Sequence, residues 1–310
     1  MDNELERFVA MKLLIITQVV DSEDSYLGFF VRWLQEFAKH AEHIDVICLK
    51  EGKYQLPANV RVYSLGKENG ASRVTYVVNF YKYLWNLRNE YDTVFVHMNP
   101  EYVVLGGVWW RLSGKRIALW YMHKSVTLKL RIAERLVHAI YTASKESFRL
   151  KSNKVRLVGH GIDTDFFSAD PSIIRGDWYL SVGRLMPSKD HRMAIVEAKN
   201  DDKKLRIAGE GPERQDLEDY AHALGAQVEF LGGLSQASLR DEYRKAKLLI
   251  HTSKTGSLDK VVLEAVACGL PVHSHDPALK ALESANPTYV REHHSLARLI
   301  PVILADIKNV

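Results

Sequence analysis

YLSVGRLMPSKDHRMAI, residues 179–195, runs from an apolar stretch of strand length through a glycine turn and into a helix. Gly183 lets the backbone leave the strand tightly. Arg184 and, five residues on, Lys189 can converge near the start of the helix, where free N–H groups and the helix dipole favour negative charge. The segment fits a diphosphate, and it equally fits an ordinary strand-to-helix turn with two surface cations. The sequence has no GxGxxG and no GxxxxGK followed by Ser or Thr, so neither a dinucleotide fold nor a P-loop is supported.

The same strand-turn-helix unit recurs on both sides. In the first half, Leu13 to Thr17, Ile44 to Leu49, Val60 to Ser64, Thr93 to His97, Arg116 to Tyr121 and Ala139 to Thr142 read as strands. Phe29 to Lys39, Tyr76 to Asn89 and Leu128 to Val137 read as helices. A second set follows, with strands at Trp178 to Val182, Leu205 to Ala208, Val228 to Leu231, Leu248 to His251 and Pro271 to His273. Its helices are Met193 to Lys199, Arg214 to Leu224, Ala237 to Ala246 and Leu258 to Ala267. Between the sets, TDFFSADPSIIRGD (164–177) loses periodicity and contains Pro171 and Gly176, so the interdomain link is expected there.

This alternation predicts an α/β protein with two Rossmann-like, doubly wound domains, residues 1–165 and 166–310. The two are expected to face one another across a cleft that takes a ligand at the carboxyl ends of the strands. The C-terminal segment is assigned to the second domain, with a return toward the first as an alternative. Residues 1–10 are polar and read as a disordered extension or as the product of an upstream start codon.

Two further segments of the second half bear on chemistry. In LRIAGEGPERQDLEDYAHALG (205–225) and VEFLGGLS (228–235), glycines shape tight loops at strand ends that allow close backbone approach to a flat base; taken singly, each also reads as an ordinary turn. HTSKTGSLDKVVLEAVACGLPV (251–272) gives a short helix with Ser257 as N-cap, Asp259 in the first turn, and Gly269 with Pro271 as the stop. Glu264 is the single charge within an otherwise apolar VVLEAVACGLPV, so it is expected to be buried and to need donors, which paired ligand hydroxyls would supply. The competing reading is an i,i+4 pair with Lys260 on one wet stripe.

Taken together and in this order, these three elements resemble the retaining family-four glycosyltransferases (glycosyl transferases group 1) of the GT-B fold, over most of the chain. The resemblance implies diphosphate contacts for Arg184 and Lys189, beside Gly183, and ribose contacts for Glu264. VGHGIDTDFF (158–167) resembles the segment leading into the family's second domain, with His160 where Asn is usual. The usual second acid, eight residues before the ribose-binding glutamate, is replaced by Gly256. Asp259 and Lys260 stand nearby, and Glu210 in the glycine loop completes the candidate donor set. In the first half, Gly28 of DSEDSYLGFFVRWL resembles the glycine before the family's first helix, and His123 of ALWYMHK resembles the histidine near the reacting sugar. His97, ending VFVHMNP, shares the strand-end position; for both histidines a structural hydrogen-bonding role is the competing reading.

The bulk properties constrain the rest. With 46% hydrophobic and 26% charged residues, the composition is that of a globular chain. No apolar run reaches the length needed to span a bilayer and no signal peptide is evident, so a cytoplasmic location is expected. Cys48 and Cys268 stand far apart and read as reduced thiols. The net charge of +4 is unevenly spread: twelve Lys or Arg face two acids, Glu134 and Glu146, between Arg111 and Arg156. That stretch suits phosphates, nucleic acid or peripheral contact with the inner membrane face, and it equally reads as a solvated face on a basic protein. No nucleic-acid motif accompanies it, so nucleic acid is not an expected partner.

The activity so implied is transfer of a sugar from a nucleoside-diphosphate donor, with retention, to an acceptor the sequence does not identify. His123, Arg184 and Lys189 are the catalytic candidates. No DxD-type acidic cluster stands in a suitable loop, so neither metal nor cofactor is expected. The rivals are another GT-B enzyme, such as a nucleotide-sugar epimerase, and a noncatalytic nucleotide-sugar-binding protein.

Overall fold

In the computed structural model, which describes residues 11–253 and 258–310, the first strand is apolar on both faces because both faces are covered. Leu13 to Thr17 of β1 (Lys12–Val20) are buried without a break, the mark of a strand inside a parallel sheet. Their side chains alternate between two cores. Leu13 and Ile15 pack with Phe30, Trp33, Leu34 and Phe37 of α1 (Phe29–Ala38). Leu14 and Ile16 pack with Phe80 and Leu84 of α2 (Arg73–Asn86), Val103 and Trp110 of α3 (Pro100–Leu112), and Leu130 and Ala133 of α4 (Leu128–Leu136).

Parallel pairing joins β1 to β2 (His43–Glu51) and, on its other side, to β4 (Thr93–His97). With β3 (Val60–Ser64), β5 (Arg116–Trp120), β6 (Ala139–Thr142) and β7 (Val155–Leu157), the order is β3-β2-β1-β4-β5-β6-β7. This unit consists of the described residues from Met11 to Gly161 together with Leu296–Val310. The C-terminal segment, read from sequence as part of the second domain or as returning to the first, forms a helix (Leu296–Asn309) in the first unit. Its Leu299, Ile300, Ile303 and Leu304 pack in the same core as α1. Asp306 on it accepts a 2.8 Å hydrogen bond from the Tyr141 hydroxyl.

The second unit, Ile162–Ser295, repeats the plan with five strands. These are β8 (Trp178–Val182), β9 (Lys204–Ala208), β10 (Val228–Gly232), β11 (Leu248–His251) and β12 (Val272–Ser274), in the order β10-β9-β8-β11-β12, all parallel. One face carries α5 (His191–Asn200) and α6 (Arg214–Leu224), which pack Ala194, Ile195 and Leu217 on Tyr179, Leu205 and Ile207. The other carries α7 (Gln236–Lys245), α8 (Lys260–Ala267) and α9 (Pro287–His294), with Tyr243, Leu263, Val266 and Val290 against Leu180 and Leu249. The helix of the C-terminal segment is α10.

Both units are therefore parallel-sheet α/β structures, as the alternation predicts. In each the strand order reverses about the first strand, between β1 and β4 and between β8 and β11, and such reversals open a crevice at the strands' carboxyl ends. Residues 164–177, expected as a link, lie within the second unit. Phe167 is buried there, and the Arg175 guanidinium donates to the carbonyls of Tyr243, Ala246 and Cys268, which holds an aperiodic segment in place. The proposed extension at residues 1–10, the expected N-cap Ser257 and the departure at Gly256 lie outside the described residues. Cys48 and Cys268 are free and buried. Among the described residues no helix is long and apolar enough to cross a membrane.

Candidate functional site

Three strand-end loops of the second unit interlock through their backbones. Gly183 N donates to Ala208 O at 3.0 Å, Gly209 N to Gly232 O at 2.8 Å, and Leu185 N to Glu210 O at 3.0 Å. Gly209 has φ +148°, and a Cβ there would lie 1.9 Å from Gly183 O, so both conformation and space require glycine. Glu210 closes the arrangement locally: its Oε1 accepts from Gly233 N at 3.1 Å.

Arg184 is exposed on the first of these loops, and the loop is held from beneath. His191, at the start of α5, is 2% exposed. Its Nε2 lies 3.2 Å from Arg184 O and its Nδ1 3.0 Å from Ser181 Oγ. A carbonyl only accepts, so Nε2 carries the proton and Nδ1 accepts from the hydroxyl. Burial pushes the His191 imidazole down to about 4, which keeps it neutral at physiological pH.

Lys189 lies across the switch between β8 and β11. Thr252 Oγ1 donates to Lys189 O at 2.8 Å and Ser253 Oγ to Ser188 O at 3.4 Å, tying the turn after β8 to the end of β11. The Lys189 ammonium meets Asp259 Oδ2 at 2.5 Å, and His251 Nε2 meets the same oxygen at 3.0 Å. His251 Nδ1 then lies 3.2 Å from Ser274 Oγ. Burial raises the Asp259 carboxyl, but the His251 hydrogen bond and the Lys189 charge outweigh it and hold the group well below the usual carboxylate range. Asp259 occupies the N-cap position of α8, one residue before the first turn expected of it. Its side chain makes no cap hydrogen bond, because it is turned toward Lys189 and His251.

Glu264 follows on α8 and is 2% exposed. Tyr243, itself fully buried, donates its hydroxyl to Glu264 Oε2 at 3.2 Å. Burial, and then the Glu264 charge, push the Tyr243 phenol well above its ordinary value. The expected i,i+4 partner is present, since Lys260 Nζ lies 3.0 Å from Glu264 Oε1, but the pair is shielded rather than on a wet stripe. No hydrogen bond of good geometry reaches Oε1 among the described residues. Gly183, Arg184, Lys189, Glu210, Asp259, Lys260 and Glu264 thus all belong to one unit. His191, His251, Thr252, Ser253 and Tyr243, which position them, are not singled out by the sequence; the one available signal is that His251 ends an apparent strand, as His97 and His123 do.

Gly28 and His123 belong to the first unit. Gly28 precedes α1, where a Cβ would lie 2.5 Å from Asp24 O. His123 is exposed beyond β5, and its Nδ1 accepts from Ser125 N at 3.0 Å. His97 is 2% exposed, stacked on Phe30 with ring centroids 4.1 Å apart and 3.2 Å from Thr17 Oγ1, which fits the structural reading. In the basic stretch, Lys145, Arg149 and Lys151 line a hollow of about 330 Å³ together with Phe148 and Leu157.

Comparison with known proteins adds to this geometry. Residues 174–290 match the family described as glycosyl transferases group 1. The chain is 29% identical over 134 residues to the phosphatidylinositol N-acetylglucosaminyltransferase gpi3 subunit of Schizosaccharomyces pombe, covering 40% of this chain and 29% of that protein. It is 32% identical over 132 residues to a GDP-mannose-dependent alpha-mannosyltransferase of Mycolicibacterium smegmatis, covering 40% of this chain and 34% of that protein. The chain therefore spans well under half the length of these curated relatives. Among solved structures, Anabaena HepE in complex with UDP and glucose superposes with a TM-score of 0.72 at 15% identity, over 97% of this chain and 100% of that one, a likeness of fold.

Proposed function

From the match of residues 174–290 to the group 1 glycosyltransferase family, we propose that this chain belongs to that family and transfers a sugar, with retention, from a nucleoside-diphosphate donor. The observation that carries the proposal is the convergence, beside the strand reversal between β8 and β11, of Lys189, Asp259 and the Arg184 loop. Arg184 and Lys189 would stabilise the negative charge that develops on the departing diphosphate, which is electrostatic catalysis directed at the leaving group. Those two cations do what a metal would otherwise do, so the transfer is proposed to be metal-independent and to use no cofactor. Glu264 Oε1 is the acceptor proposed for the ribose hydroxyls. That the gpi3 and alpha-mannosyltransferase relatives are transferases, and that HepE holds UDP, supports this reading.

Asp259 is proposed to have two roles in turn. Without donor it neutralises Lys189; with donor bound, the diphosphate takes that place and Asp259 reaches the sugar hydroxyls, in the region where the usual acid is replaced by Gly256. His123 and Gly28 are proposed to act at the reacting sugar and the donor phosphate. The acceptor is proposed to be lipid-linked and reached at the inner membrane face. Support comes from the basic Arg111 to Arg156 region and from the solvent side of α2 and α3, where Trp85 and Trp109 are 58% and 38% exposed with ring centroids 5.9 Å apart. Exposed tryptophans beside cations are favoured at membrane interfaces.

The test is a panel of UDP-, GDP- and ADP-sugars, read first as thermal shift and then as nucleoside diphosphate released with and without acceptor. A shift with one donor class and release of its diphosphate supports transfer. A shift with no release would instead assign the chain as a nucleotide-sugar binder, and an epimerised donor would assign it as an epimerase.

A further inference from the structure

We propose that Glu197, His273 and His275 bind a divalent transition-metal ion of the zinc type, at a place in the second unit separate from the donor residues. His273 lies in β12 and His275 directly follows it. Residues two apart along an extended chain project to the same side, and the two imidazole rings meet edge to face with centroids 5.0 Å apart. Glu197, in the middle of α5, projects its carboxylate between them. One ligand atom from each residue lies within 4.8 Å of the other two. His275 Nε2 contacts Glu197 Oε1, and His273 Nε2 lies 4.0 Å from Glu197 Oε2.

That last separation is too long for a hydrogen bond and close to what a shared ion needs. Ligands about 2.0 to 2.2 Å from a tetrahedral zinc ion stand roughly 3.4 Å apart, so small side-chain rotations would close the set. The tautomer is already favourable. His273 Nδ1 lies 3.3 Å from Glu283 Oε1, and a proton shared with that carboxylate leaves the lone pair on Nε2, facing Glu197. Glu283 is itself held, accepting from Ser274 N at 2.7 Å and from Lys280 Nζ at 3.0 Å. Outer carboxylates of this kind orient the histidines of metal sites.

The donor set decides the class of ion. Two imidazoles and a carboxylate suit zinc, cobalt or nickel, whereas magnesium and calcium prefer oxygen ligands alone. Three protein ligands leave one position for water. The side chains of His273, His275 and Glu197 are 43%, 27% and 24% exposed, so an ion can enter from solvent. Its effect would be to fasten the edge strand β12 to α5, and so to steady the backbone contact of His275 N with His251 O at 3.0 Å.

The experiment uses the full chain, stripped with EDTA and dialysed. Zinc chloride is titrated by calorimetry, and cobalt(II) is followed by its visible d–d bands. The expected result is saturation at one equivalent, four-coordinate cobalt bands, and a rise in melting temperature with zinc that magnesium does not give. His275→Ala and the volume-conserving His273→Gln should each weaken binding at least tenfold, while the exposed His293→Ala leaves it unchanged. Circular dichroism establishes that each variant is folded. Absence of a one-equivalent event in the wild type, or its persistence in both folded variants, overturns the proposal.

Discussion

Replacing Asp259 by Asn removes a charge and almost no volume, which makes it the sharpest probe of the site. The Lys189 and Asp259 side chains are 19% and 22% exposed, so solvent screens their 2.5 Å contact only in part. The substitution would leave the Lys189 ammonium shielded and without its carboxylate, and it would weaken the 3.0 Å contact with His251. Hydrogen bonds to charged groups contribute about 1.5 to 3 kcal/mol, and the amide oxygen can still accept one, so the expected loss is about 2 kcal/mol. For a domain of this size that lowers the melting temperature by roughly 6 °C.

The pH dependence separates this role from a generic defect. Asp259 is depressed in the folded state, so its contribution is fully present above the unfolded value of about 3.9 and is lost as pH falls toward the lower folded one. Urea unfolding at neutral pH and at several points below pH 4 should therefore show the gap between wild type and Asp259→Asn closing in acid. Donor binding adds a second reading. Loss of the competing carboxylate should leave affinity for the free nucleoside diphosphate unchanged or higher, while discrimination between epimeric sugars falls. Equal stability of wild type and variant at pH 7, with an unchanged epimer ratio, would refute both the counterion and the sugar-ligand assignments.

Glu264→Gln should reduce donor affinity ten- to a hundredfold in a folded protein, as loss of about 1.5 to 3 kcal/mol of charge-assisted hydrogen bonding implies; calorimetry with the donor found by the panel measures it. Arg184→Ala and Lys189→Ala should each lower turnover far more than affinity for the nucleoside alone, and EDTA should leave turnover intact in a transfer assay. His191 is depressed to about 4 from an ordinary 6.5, so stability should fall by roughly 3 kcal/mol as pH drops through that window, because the unfolded chain takes up the proton first. In His191→Gln the unfolding curves recorded between pH 6.5 and 4 should show that slope clearly reduced. Trp85→Ser with Trp109→Ser should abolish sedimentation with phosphatidylglycerol vesicles while leaving soluble-donor hydrolysis unchanged.

How far the sequence leads depends on whether the relevant physics is local. The strands at Val60–Ser64, Thr93–His97 and Trp178–Val182 are legible to the residue, since short apolar runs between polar turns encode them directly. Pro100–Leu112 does not read as a helix. Its sequence, PEYVVLGGVWWRL, holds adjacent glycines and apolar side chains on most sides, which blurs the helical period. The structure explains both features: Gly106 and Gly107 sit against Trp110 and Leu136, where a Cβ would clash, and the outward tryptophan lies beside Trp85. Leu296–Asn309 is hidden by Pro301 inside it, and Val155–Leu157 by its brevity and its central Arg156.

The candidate site divides in the same way. Gly183, Arg184, Lys189 and Glu264 stand in local patterns, so their positions on turn and helix can be named in advance. The partners of those groups cannot, because they come from strand order. That β8 lies beside β11, although the two are far apart along the chain, is what brings Thr252 to Lys189 O and the Lys189 ammonium to Asp259. An acid at the start of a helix has a sufficient local explanation in the helix dipole, which is why Asp259 reads as an ordinary first-turn residue. Only its orientation distinguishes the cases, since a capping carboxylate would turn back to the N–H groups of α8, whereas this one turns away to Lys189 and His251. A residue that forgoes the local hydrogen bond its position offers is being held by tertiary contacts, and on that ground Asp259 is proposed for the site rather than read as a helix-end charge.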